Sequence, residues 1–203
     1  MAKLCSSSLG ALVLMVFWGS VAIGQAAENT WSPMETIRWS NDAILAVLAE
    51  KDPLDAEGEA QIYEVMDQVT DFLRMSRAAI DDLCEAETEK CDEWKGVFSD
   101  LLRIRSIKGL GRYRAERFDY LSEEIDGDKA VVNCLAYYKG DELTLDYELE
   151  RDGDRWVIVN YIMDDVDTAR SYHRRFTRLL KKETVEDIIQ RLSKRIGELE
   201  QES

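Results

Sequence analysis

Histidine and proline are nearly missing from this 203-residue chain, which has one His and two Pro. The lone His173 leaves no set of imidazoles for a metal centre, and no Ser-His-Asp or Cys-His arrangement suggests itself around it. Also missing are G-x-G-x-x-G, the P-loop and H-E-x-x-H, so the common nucleotide and zinc-protease chemistries have no footing. No internal repeat or low-complexity linker interrupts the chain after its first residues. Beyond residue 27 no apolar run approaches the length of a membrane span. Basic residues are outnumbered, 26 Lys+Arg against 41 Asp+Glu, for a formal net charge of −15. That balance argues against binding nucleic acid or an anionic membrane over a broad surface.

What is present begins with a leader. Residues 4–27 carry no charge; Lys3 supplies a thin basic start, Leu9 to Val21 an apolar stretch, and Gly24, Gln25 and Ala26 a small-residue exit. This reads as a secretory signal peptide over 1–26, with 27–203 as one mature domain. The alternative is an uncleaved anchor; the small-residue exit favours cleavage. Cys5 precedes the apolar run and is badly placed to carry a lipid anchor. Without Lys3 the mature chain holds 25 basic against 41 acidic residues. The charge is uneven: residues 50–100 have sixteen acidic and five basic side chains, whereas 103–117 have six basic and one acidic. Residues 170–182 have six Lys/Arg and no acid.

Three cysteines survive cleavage: Cys84, Cys91 and Cys134. In an oxidising compartment Cys84 and Cys91 form the expected pair. Along one unbroken helix they would stand about 10 Å apart, too far to bridge. A disulfide therefore demands a turn within 85–90. Cys134 reads as a small, inert, buried strand residue, and three thiols with one His fall short of a zinc site.

Ser32, Pro33 and Glu35 spell a helix start, and the Lys51-Asp52-Pro53 run its stop. A second helix is expected from about Glu57, with apolar residues from Ile62 to Leu73 three and four apart, and a third from about Thr88 to Gly109. Four strands then follow at 118–125, 130–138, 142–150 and 155–163, joined by short Gly-containing turns that specify consecutive antiparallel hairpins. The fourth strand is apolar on both faces, so both faces need cover. A long helix over 167–182 and a last one from Thr184 to about Glu200 complete the chain. The expected fold is α+β: helices over about 32–113, a curved antiparallel sheet of about four strands over 114–165, and C-terminal helices over 166–200, enclosing an apolar cavity.

Chemistry offers little. The run 164–167, DDVD, lacks the Gly and Glu that a calcium loop needs at its sixth and twelfth positions, where Ala169 and Arg175 stand. Caps and helix-dipole contacts explain those acids more simply. The row Ala130, Val132, Cys134, Ala136 and Tyr138 either lets a helix approach closely or leaves room for a ligand. On the helix from Ala169, Tyr172, Phe176, Leu179 and Leu180 form the buried stripe. At about 100° per residue, Arg170, Arg174 and Arg178 face outward, while Arg175 and Lys182 flank the stripe, placed to hold an anionic group at a pocket mouth.

Several segments together resemble the MlaC (toluene-tolerance) family. They are Thr70-Asp71-Phe72, Tyr113, the stretch 156–166 WVIVNYIMDDV, the stretch 171–176 SYHRRF, and 188–192 IIQRL. Relative to the family pattern, Asp165 replaces a turn Gly, Asp167 a Ser, His173 an Arg and Ser171 an Asn, and a Leu-Gly-x-x-Trp segment is absent. The resemblance implies a non-enzymatic periplasmic phospholipid carrier without cofactor. Such a carrier exchanges lipid with an inner-membrane ABC-type complex and an outer-membrane complex, and is expected to be a monomer. On this reading the cavity wall comprises Phe72, Leu101, Phe118, Cys134, Ala136, Leu145, Tyr147, Trp156, Ile158, Tyr172, Phe176 and Leu180. Arg175 and Lys182 are the headgroup candidates, and Asp at position 136 is expected to abolish lipid binding without unfolding. The rival is an exported protein-interaction domain with a fully packed core. A third reading is a small-molecule enzyme using a buried carboxylate base.

Overall fold

Capping chemistry sets the helix boundaries in a computed structural model that describes residues 31–84, 89–112 and 115–201. The leader at 1–26 and Tyr113 lie outside the described residues. Ser32 and Glu35 form a reciprocal capping box at the start of α1 (Pro33–Glu50). Asp55 accepts from the Gly58 amide at 2.8 Å and opens α2 (Ala56–Val69). The continuous apolar spacing predicted one helix through Leu73, but the chain breaks at Thr70. Thr70 takes an extended conformation and bridges in parallel to Ile158, and the Asp71 amide donates to the Ile158 carbonyl at 2.9 Å. Asp71 then caps α3 (Phe72–Ile80). The break lets the α2–α3 junction cover the outer edge of a strand that has no full-length neighbour there.

A short 3-10 turn, Asp81–Leu83, leads to Cys84, which is bridged to Cys91 with a Cα separation of 6.2 Å. Helix α4 runs over Glu89–Arg112, and the sheet follows as β1 (Arg117–Asp126), β2 (Lys129–Tyr138), β3 (Asp141–Asp152), β4 (Arg155–Met163) and β5 (Val166–Asp167). The order is β1-β2-β3-β4-β5, antiparallel throughout and open. Gly127, Gly140 and Gly153 take φ of +59°, +88° and +62° in the three hairpin turns, which favours glycine there. The fifth strand is a two-residue addition beyond the four expected. It follows a turn in which Asp164 and Asp165 both have positive φ, 47° and 62°. The Gly of the family pattern at position 165 thus marks a real backbone demand, met here by a residue that tolerates it. Asp167 caps α5 (Thr168–Leu179), and α6 (Val185–Gln201) packs along α4.

One residue decides which side chains face the helices. Leu149 pairs with Ile158, but Glu148 pairs with Asn160, so Val159 is an extra residue in β4. Parity flips there. Trp156 and Ile158 point inward before the bulge, and Tyr161 and Met163, opposite Tyr147 and Leu145, point inward after it. The switch accounts for part of the two-sided apolar pattern of this strand; Val157, buried on the opposite face from Trp156 and Ile158, shows that this face is covered as well. The inner face of β1 and β2 lies under α1, where Asn41 Nδ2 donates to Tyr120 Oη at 3.4 Å and accepts on Oδ1 from Tyr147 Oη at 3.2 Å. The main core joins sheet, α3, α4, α5 and α6 around Trp94, Phe98, Met75 and Phe176. A smaller cluster of Ile44, Leu48, Ile62 and Ile107 ties α1, α2 and the end of α4 together.

Candidate functional site

Between the two clusters the packing is incomplete, leaving an open cleft of about 390 Å³ where an enclosed cavity was expected. Its floor is Leu145 and Tyr147 of β3 with Ile158, Tyr161 and Met163 of β4. Ser40, Asn41 and Ile44 of α1, and Met66 with Thr70, form one wall. Leu102, Arg105, Ser106, Gly109 and Leu110 of α4 form another, and Thr168 and Tyr172 close the end at α5. The α4 contribution has a local cause. On the face that carries Leu102 toward the sheet, Ser106 and Gly109 follow at helical spacing; Ser106 meets the floor only through the Tyr161 hydroxyl, and Gly109 has no side chain to reach it.

The polar groups inside are neutral. Ser106 and Tyr161 hydroxyls meet at 3.1 Å, tying α4 to β4. Burial pushes the Tyr147 and Tyr161 phenols up, while the Arg105 charge and the Ser106 hydrogen bond pull Tyr161 partly back. Both phenols are therefore uncharged at neutral pH. Arg105 is the one ionic side chain lining the cleft. Its helix neighbours are neutralised: Arg103 Nε donates to Asp67 at 2.6 Å, and Lys108 pairs with Glu59 at 2.8 Å. Arg105 has no ion pair with any described residue. No group of His, Cys, Asp and Glu able to hold a metal occurs among the described residues.

Of the twelve expected wall residues, the fold brings Leu145, Tyr147, Ile158 and Tyr172 to the cleft. The others lie elsewhere. Phe72, Leu101 and Phe176 are core, with the Phe176 ring 4.9 Å from Phe98 and 5.0 Å from Trp94. Cys134 and Ala136 are buried on β2, so the row of small residues serves close approach of α1; an Asp at 136 would be buried in packing, not in the cleft. Phe118 and Leu180 are half-buried against the core. Trp156 lines a separate hollow of about 200 Å³ with Trp31 and Trp39. Arg175 and Lys182 are exposed and outside the cleft lining; the cation that lines the cleft is Arg105. Sequence reasoning missed Ile44, Met66, Leu102, Ser106, Tyr161 and Met163. The Ser106–Gly109 spacing on an otherwise apolar face was the available signal; the β4 parity switch left none. Around the acidic elbow, Asp164 accepts from the Thr144 amide at 3.0 Å and Asp167 from the Arg170 amide at 2.8 Å, structural roles for both.

Comparison with known proteins bears on this arrangement. Among curated proteins no relative matches. The fold is similar to that of a phospholipid-binding protein from Ralstonia solanacearum, solved in complex with a phospholipid, with a TM-score of 0.66 and 21% identity. The match covers 81% of this chain and 96% of that one. The family model described as MlaC protein matches residues 39–194, well over half of the sequence. The chain belongs to the MlaC family.

Proposed function

We propose that this protein is a periplasmic carrier that binds the acyl chains of a phospholipid in the cleft between β3–β4 and α4, and catalyses nothing. The observation that carries the reading is the cleft itself: an apolar, uncharged floor with neutral hydroxyls and a single cation at its rim. Acyl chains need a dry wall and little else, and a headgroup needs a route to water. Membership of the MlaC family and a fold shared with a phospholipid-bound protein support the same ligand class. The Leu145, Tyr147, Ile158 and Tyr172 side chains are the proposed tail contacts. Residues 1–26 act as a cleaved export signal on a single domain of 27–203, and the Cys84–Cys91 bridge fits an oxidising compartment. No helix among the described residues is long and apolar enough to cross a membrane. Shuttling between an inner-membrane ABC-type complex and an outer-membrane complex, as a monomer, completes the proposal.

The test is native mass spectrometry of the mature protein from an envelope fraction, followed by denaturing lipid analysis. A stoichiometric adduct of phospholipid mass is expected. A bare mass, together with failure to take up added phospholipid, would overturn the carrier reading in favour of a packed interaction domain.

A further inference from the structure

Arg105 is the one ionic side chain that lines the cleft. Ion pairs neutralise the cations two residues before it and three after it, and Arg105 is left without one among the described residues. Other exposed cations without an ion pair among the described residues, such as Arg178 and Lys182, lie away from the cleft lining. This one instead is exposed at the lip of an apolar cleft whose other lining groups are uncharged. Its stem can lie along the Leu102 and Leu110 side of the wall while the guanidinium meets water. One turn further along the same wall, a Cβ built on Gly109 would meet nothing within 4 Å, so the wall leaves open space there.

We propose that Arg105 holds the phosphate of the bound amphiphile at the mouth of the cleft, so that the anionic group, and not the tails alone, determines binding. The proposal rests on the carrier reading above. The guanidinium presents a planar fork of donors that matches two phosphate oxygens, which makes a phosphate a better counterpart than a lone hydroxyl. The exposed position keeps the effect modest and sensitive to salt.

The experiment uses the delipidated mature protein and two probes with identical tails, dioleoyl phosphatidic acid and dioleoylglycerol, with inorganic phosphate as a third. Wild type is expected to prefer the phosphatidic acid by about three- to tenfold. Arg105→Gln should lose that preference, with phosphatidic acid falling to the affinity of dioleoylglycerol for the same variant, and Arg105→Lys should restore part of it. Thermal melts establish that each variant is folded. Uptake of both lipids with an unchanged preference in Arg105→Gln overturns the assignment while leaving the carrier intact. Uptake of neither lipid by wild type overturns the carrier reading itself. Inorganic phosphate that binds wild type as tightly as the lipid would also overturn the proposal, by making the site one for free phosphate.

Discussion

Ser106 on α4 and Tyr161 on β4 touch hydroxyl to hydroxyl at 3.1 Å, a polar contact that links these two elements within the cleft lining. Ser106 also donates to the Leu102 carbonyl at 2.9 Å, so it keeps a partner if the phenol is lost. Tyr161→Phe is therefore expected to cost about 0.5–1.5 kcal/mol, read as a shift in urea midpoint at constant slope, with lipid content retained.

Gly109 offers a way to obstruct the cleft without disturbing its walls. Nothing lies within 4 Å of a Cβ there, and replacing a helical glycine removes a cost of roughly 0.5–1 kcal/mol. Gly109→Trp should melt at or above the wild-type temperature and carry less than half the wild-type lipid. Full lipid content would place the ligand elsewhere.

Thr70 has a buried hydroxyl with no hydrogen-bond partner among the described residues, on a backbone of φ −119° and ψ 128° that suits any β-branched residue. Thr70→Val keeps the shape and removes an unpaired polar group. It should stabilise the fold by about 1 kcal/mol, measured by equilibrium denaturation.

The Cys84–Cys91 bridge closes a short loop between α3 and α4, with a sequence separation of 7. Constraint of the unfolded chain by a loop of this length is worth about 2–3 kcal/mol. Denaturation with and without reductant, or with Cys84→Ser and Cys91→Ser together, should show a loss of that order while lipid content persists in mild conditions.

Alkali should weaken the fold through the buried acids of the sheet. Burial pushes the Cys134 thiol from 9.0 up to about 12, and raises the Tyr147 phenol as well. In the unfolded chain these groups lose protons first, so the native state binds more protons at high pH and stability falls as pH rises from about 9 toward 12. Stability measured across that range should fall less steeply in Cys134→Ala. The same burial predicts that Cys134 resists thiol reagents at pH 8 until the protein unfolds.

The hairpins were legible from local chemistry. Turn residues with forced left-handed φ, such as Gly127 and Gly153, and a clean alternation such as Leu143 to Glu150 depend on neighbours in sequence, and they set the register that pairs Cys134 with Leu145. The start of α1 was legible for the same reason, because a capping box is a contact between residues three apart. The split between α2 and α3 was not. Its apolar spacing runs through unbroken, and the cause is a long-range bridge from Thr70 to the uncovered edge at Ile158.

The site divides along the same line. The order of helical spacings and hairpin turns determined the fold class, and the residue order of 154–192 the family resemblance. Which apolar side chains border empty space was decided only by tertiary structure. Phe176 and Tyr172 lie one turn apart on the same helix stripe, yet one is sealed among Trp94 and Phe98 and the other closes the cleft. Their chemistry is alike, and only the distance to the opposing wall separates core from pocket. That distance is set by the extra residue at Val159, which turns Tyr161 inward, and by α4, where Ser106 meets only the Tyr161 hydroxyl and Gly109 has no side chain to fill the space beyond.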